Sequence, residues 1–267
     1  MSGYAWVPRR RLAALAALVA GIAAAGAAGA QSAAPLPFAV GERLSYDTRA
    51  ARMLSGRAEM WIEGPVDVQG ASTIVLRFSF NTRIGPLGVS DATTSWWDPL
   101  RMATVRFEKY ERRFLDRYSE EVDIDQQSGR WRANDGREGE SPSAAPLDEL
   151  SFIYVIRTLD LTADSTLRLT RHYDADRSPT TVRLVGRDTV NTALGAFATR
   201  EIEMRVRDAR HYSGEGVIRL WLSDDDCRRP VRIVSTIPGA GTVVMTLASA
   251  APAIAACQPR GEDRAAR

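Results

Sequence analysis

The chain holds two histidines, His172 and His211, in the matching tripeptides Arg171-His172-Tyr173 and Arg210-His211-Tyr212. If both lie on strands they can meet across a sheet, with a carboxylate such as Asp174 completing a metal site. Their spacing itself matches no zinc motif. Ser151 shows no local sign of activation, and in a Ser–His hydrolase its base would have to be one of these two histidines. Asp224, Asp225 and Asp226 offer oxygens to a hard cation such as calcium. Consecutive carboxylates on one turn do not all converge, and EF-hand spacing is absent, so a solvated turn is expected. Zinc-protease, nucleophile-elbow, phosphate-loop and dinucleotide fingerprints are all missing. No catalytic residue, metal ligand or cofactor is therefore assigned, and the ligand-binding residues are unknown.

The elements that would carry such groups lie behind an export signal. Arg9, Arg10 and Arg11 precede an Ala-rich apolar run that ends at Ala28, Gly29 and Ala30. Basic residues, then an apolar run, then small residues is the pattern of a secretory signal peptide. Gly21, Gly26 and Gly29 make this run a poor membrane anchor, so residues 1–30 are expected to be removed, leaving no membrane-spanning segment. Twin-Arg export stays open beside the general route. The remaining 267 − 30 = 237 residues carry 35 − 3 − 33 = −1 charge with neutral histidines. A chain so balanced has no footprint for nucleic acid. Periplasm is the expected address. In that oxidising compartment Cys227 and Cys257 are expected to pair rather than stay free thiols, closing a loop of about 30 residues worth roughly 3–4 kcal/mol.

Beyond residue 40 the apolar residues alternate. Ile202, Met204 and Val206 share one side of a segment whose other side is Glu201, Glu203, Arg205 and Arg207. The same period runs through Ala58, Met60 and Ile62, through Ile74, Leu76, Phe78 and Phe80, through Ile218, Leu220 and Leu222, and through Val243, Met245 and Leu247. Further strands are expected near 105–110, 118–124, 167–173, 181–185 and 231–237. Roughly ten to twelve half-wet strands make an all-β, mainly antiparallel protein, curled into a barrel, half-barrel or sandwich. Trp96 and Trp97 must face opposite sides of any strand containing them. Trp61, Trp131 and Trp221 complete a rich tryptophan set, most of it expected in the core.

Two stretches interrupt the strands. Residues 134–147 read as a loop. Asp148 then precedes Leu150, Ile153, Tyr154 and Arg157 at helical spacing, predicting a short helix over 148–157 that plugs a barrel end or covers the concave side of the sheet. The β-branched and aromatic run from Phe152 to Ile156 also fits a strand. After Gln258 the chain is polar and Arg-rich, and residues 258–267 are expected to be disordered.

Three stretches carry a family resemblance: Asp148, Leu150, Ser151, Tyr154 and Arg157; the turn at Leu194, Gly195 and Ala196; and Leu220, Trp221, Leu222, Ser223, Asp224 and Asp225 leading to Arg229, Pro230 and Val231. Together they resemble DUF3108, a family of exported bacterial proteins of unknown function, over about residues 42–248. The resemblance implies an envelope location and a barrel-like antiparallel fold, with no established activity. The segment from Leu161 to Ser165 departs from the pattern, lacking an expected Gly turn, and Cys227 with Cys257 looks particular to this chain. On turn chemistry alone, Gly195 supplies a positive φ and Pro230 opens a returning strand.

One domain over residues 31–257 is thus expected, non-enzymatic, binding an apolar ligand or an envelope component on its concave side. The alternatives are an assembly or structural factor acting by protein–protein contacts at its sheet edge or at loop 134–147, and a hydrolase or metal-dependent enzyme using Ser151, His172 or His211.

Overall fold

In the first strand, β1 (Arg43–Ala50), Leu44, Tyr46 and Thr48 are buried while Arg43, Asp47 and Arg49 are exposed. Alternation in sequence becomes two faces in space. The computed structural model describes residues 35–50, 54–84, 87–113, 116–162, 165–210, 212–239, 241–252 and 257. The expected signal segment, His211 and the tail 258–267 lie outside the described residues.

After β1 come β2 (Leu54–Val68), β3 (Ala71–Ile84), β4 (Leu87–Asp98), β5 (Ala103–Arg113), β6 (Asp116–Ile124), β7 (Arg130–Ala133) and β8 (Glu138–Glu140). One helix, α1 (Glu149–Thr158), follows. The chain continues through β9 (Thr166–Leu169), β10 (Thr180–Thr192), β11 (Gly195–Val206), β12 (Gly216–Ser223), β13 (Pro230–Ile237) and β14 (Gly241–Ala251).

All fourteen strands form one sheet in the order β8-β7-β6-β5-β4-β3-β2-β1-β14-β13-β12-β11-β10-β9. The first strand therefore pairs with the last, antiparallel, with Leu44 opposite Ala250. The sheet stays open: its ends are β8 and β9, and the chain between them carries α1. An isolated parallel bridge joins Leu147 to His172, with Leu147 N–H donating to the Arg171 carbonyl at 2.6 Å and Tyr173 N–H to the Leu147 carbonyl at 2.9 Å.

Inside the curl, α1 is buried nearly all round, through Leu150, Ser151, Phe152, Tyr154, Val155, Ile156 and Arg157. Its apolar residues join one core with Leu44 and Tyr46 of β1, Met60 of β2, Leu76 of β3, Ile202 of β11, Leu220 of β12 and Leu247 of β14. The helix fills the concave side of the sheet. A satellite core of Phe107, Val122, Ile124, Trp131, Ala133 and Tyr173 lies under β5–β7.

Four details differ from the sequence reading. The segment 134–147 contains β8, paired with β7 through Trp131 and Gly139; a Cβ on Gly139 would lie 2.9 Å from the Trp131 ring. The strand expected over 167–173 stops at Leu169. β4 escaped the alternation because its inward positions include Thr93 and Ser95, polar residues that are nonetheless buried. Glu203, placed by pattern on the wet face, is 2% exposed because Arg183, Arg205 and Arg219 close over it. Trp96 and Trp97 do divide: Trp97 is fully buried, and Trp96 lies outside beneath Arg106.

Candidate functional site

The family-like residues converge on the two ends of α1. At its N-terminus, Asp148 Oδ1 accepts from the N–H groups of Leu150 and Ser151 at 2.8 and 3.0 Å, while Ser151 Oγ accepts from Asp148 N–H at 2.9 Å. This is a capping box, and it satisfies donors that a helix start leaves free. Asp148 Oδ2 accepts from Ser95 of β4 at 2.5 Å and Thr104 of β5 at 2.6 Å, fixing the helix to the sheet. Burial pushes the Asp148 carboxyl up, against these hydrogen bonds. Ser151 is fully buried within this network and serves the helix start.

At the other end, the Arg157 guanidinium is fully buried and grips Glu42 with both forks, at 2.5 and 2.7 Å. It also donates to the carbonyls of Pro37 at 3.0 Å and Cys227 at 2.9 Å. Burial opposes its charge, but Glu42 more than compensates and holds the Arg157 pKa above its ordinary value. Arg228 Nη1 donates to the carbonyls of Arg157 at 3.0 Å and Leu159 at 2.5 Å, covering the negative end of the helix. Tyr154, fully buried, has its hydroxyl pKa raised by burial and then by Glu42. Tyr46 Oη donates to the Pro230 carbonyl at 2.9 Å.

The turn after β12 is built to present those groups. Asp225 Oδ1 accepts from Ser223 Oγ at 2.8 Å, Cys227 N–H at 3.0 Å and Arg228 N–H at 2.9 Å. Asp224 N–H donates to the Ala198 carbonyl at 3.0 Å, and its carboxylate lies 3.5 Å from Arg187. Trp221 Nε1 donates to Asp188 at 3.2 Å, and Gly195 turns the β10–β11 hairpin at φ +114°. Cys227 and Cys257 form a disulfide. Carboxylate oxygens of Asp225 and Asp226 lie within 4.8 Å of both sulfurs, but sulfurs bonded to each other leave only those oxygens as ligands.

A buried ionic network, invisible to sequence reading, crosses beside the helix N-terminus. Lys109 on β5 contacts Glu149 of α1, Glu111 at 3.0 Å and Asp91 of β4 at 3.9 Å. Glu149 also meets Arg177 at 3.0 Å, and Arg177 meets Asp208 at 3.3 Å. Nearby, Arg210 pairs with Asp174 at 2.9 Å and Arg137 with Glu120 at 2.8 Å. The network ties β4–β6 to the segments after β9 and β11. Burial pushes the Asp91 carboxyl up to about 6, although Lys109 pulls it down. Burial also works against the Glu149 charge, but Lys109 and Arg177 hold its carboxyl well below the usual range. The single Lys in the sequence was the one available signal; its partners come from distant strands.

His172 is buried, its imidazole pKa lowered by burial and by Arg177, and Nδ1 accepts from Asp174 N–H at 3.1 Å. Beside Leu159, Leu161 and Arg200, a void of about 10 Å³ is no larger than one water needs. An open depression of about 610 Å³ at Gln69, Asp123, Arg130 and Arg132 has charged walls.

No curated protein matches the chain. Among solved structures it is similar to a crystal structure of a β-barrel-like protein of a domain of unknown function, DUF1849, from Brucella abortus, with a TM-score of 0.51 and 12% identity, covering 78% of this chain and 96% of that one. At that identity the likeness shows the fold alone. The model of the DUF3108 family, "Protein of unknown function", matches residues 44–248, from the second residue of β1 into β14 and across both helix anchors, and the chain belongs to that family.

Proposed function

We propose that this chain is an exported cell-envelope protein that works by binding, taking an apolar ligand or an envelope component. The observation that carries the reading is the filling of its open curl. On the concave side the strand side chains share their core with two segments that are not strands, α1 and residues 36–41. Residues 36–41 lie outside the strand ladder, so they can leave the core without breaking it. Ser151 serves the helix start, and His172 accepts from Asp174 N–H through Nδ1, with no hydrogen bond between Ser151 and His172 among the described residues, so nothing there supports the enzyme alternative. The Cys227–Cys257 disulfide suits an oxidising compartment, and no described helix is long and apolar enough to cross a membrane.

The test is native mass spectrometry of the processed protein, gently purified from its own compartment. A co-purifying apolar molecule, or a stoichiometric envelope partner, is the expected result. A bare chain mass, with crosslinking in intact cells recovering only self-contacts, overturns the reading.

The assembly-factor alternative has one observation in its favour. β9 pairs only with residues 180–183 of β10, so the rest of β10 runs on along an edge with no described neighbour, and Val185 there is 41% exposed. Such an edge can take a strand from another protein. A photo-crosslinker at Val185 that captures a partner when one at Thr94 does not would favour it.

A further inference from the structure

We propose that residues 36–41 are a strap occupying, with this chain's own groups, a binding site for an amphipathic carboxylate: a flat apolar body bearing a carboxylate. The inference rests on the binding reading above and gives it a place and a ligand class.

The strap folds back from β1 at Gly41, whose φ of +94° allows the reversal. At its base Gly41 N–H donates to the Ile62 carbonyl at 3.0 Å and Ile62 N–H to the Glu42 carbonyl at 2.9 Å, and further out the Pro37 carbonyl accepts from Arg157 at 3.0 Å. Ala39 and Val40 are exposed; the anchors are the buried Phe38 ring and the buried Glu42 carboxylate at its base. Phe38 sits in a cage of Trp97, Tyr154 and Arg157, with ring centroids 5.9 Å and 5.1 Å away and the guanidinium carbon 5.0 Å from its own centroid. Glu42 takes both forks of Arg157. An aromatic body and a carboxylate thus occupy one guanidinium and its aromatic neighbours, the pairing by which an anionic, ring-bearing molecule is recognised.

The cage is also unsatisfied. Each of its three members keeps a buried donor without an acceptor: Trp97 Nε1, Tyr154 Oη and Arg157 Nε. Buried donors normally have partners, and a hydrocarbon ring supplies none. A ligand with further acceptor oxygens in place of the Phe38 ring would meet them. The fit of this strap to the cage is that of a stand-in.

The experiment uses 3-(3,4-dihydroxyphenyl)propionate, a ring that bears a carboxylate and further acceptor oxygens, as probe. Calorimetric binding is measured on the full processed chain, on Phe38→Ala/Glu42→Gln, and on that double variant carrying Tyr154→Phe. Vacating the cage is expected to tighten binding at least tenfold over the unaltered chain. Tyr154→Phe, which removes an unpartnered hydroxyl, is expected to weaken binding about fivefold, the worth of one hydrogen bond, with unchanged circular dichroism. Folded strap variants without saturable binding overturn the proposal, as does affinity equal to that of the unaltered chain or indifferent to Tyr154. If the double variant does not fold, Phe38→Ala alone is judged by the same criteria, and failure of millimolar probe to restore its structure counts against the site. A co-purified ligand whose binding ignores these variants sinks the strap and spares the binding function; a bare chain in both experiments sinks both.

Discussion

Arg157 and Arg228 bind each other's backbone neighbourhood: Arg228 donates to the carbonyl of Arg157, and Arg157 donates to the carbonyl of Cys227, the residue before Arg228. The helix and the β12–β13 turn are thereby fixed together from both sides, and the Glu42 pair completes the joint. Removing one member of a buried ion pair strands the other charge. Glu42→Ala is expected to destabilise the protein by about 3–5 kcal/mol. Replacing Arg157 and Glu42 together by Met and Leu should recover much of that. Urea unfolding of both single variants and the double variant checks the coupling, and additive losses would refute it.

At the opposite end, Asp148→Ala removes the cap and leaves the Ser95 and Thr104 hydroxyls without their shared acceptor. A loss of about 2–4 kcal/mol is expected, against about 1 kcal/mol for Ser151→Ala. Thermal melts followed by circular dichroism separate the two.

The pH response has two limbs of opposite sign. Asp91 has a folded pKa of about 6, above its ordinary 3.8, so its ionised form weakens the fold. Its contribution to stability therefore grows as pH falls through 6 and levels off near 4. Glu149 is depressed, so its contribution is present above its ordinary 4.5 and is lost as pH falls below that value. Asp91→Asn should raise stability at pH 7 and flatten the limb between pH 6 and 4. Urea midpoints across pH 3–8 test this, and an unchanged slope in the variant contradicts it.

Cys227→Ser/Cys257→Ser opens a loop with a sequence separation of 30. A loss of about 2–4 kcal/mol is expected. Reduction of the unaltered chain should reproduce it, and equal unfolding midpoints with and without reductant would argue against it.

What the sequence made legible was the part governed by local period. Ile202 and Met204 of β11, or Ala58, Met60 and Ile62 of β2, announce their buried face because their neighbours are charged. Asp148 announced a helix start because capping chemistry lies within four residues. β4 was not legible, since its inward positions include the polar Thr93 and Ser95, and the partner that Ser95 faces, Asp148, lies 53 residues away. Nor were the roles of Arg157, Arg228 and Lys109, whose partners are set by the fold and not by neighbours in the chain. The motif around Trp221, Ser223, Asp224 and Pro230 read as a hairpin turn, and it is one; only the folded chain relates that turn to the end of α1.

The pairing of β1 with β14 carries a consequence for how this polypeptide comes into being. A strand made near the start of synthesis waits for a mate about 200 residues later, so its second neighbour is absent through most of biogenesis. Until then β1 offers an unsatisfied border that other chains could adopt. Safe delivery would call for a holding chaperone, and chains stopping short of residue 241 should clump rather than fold.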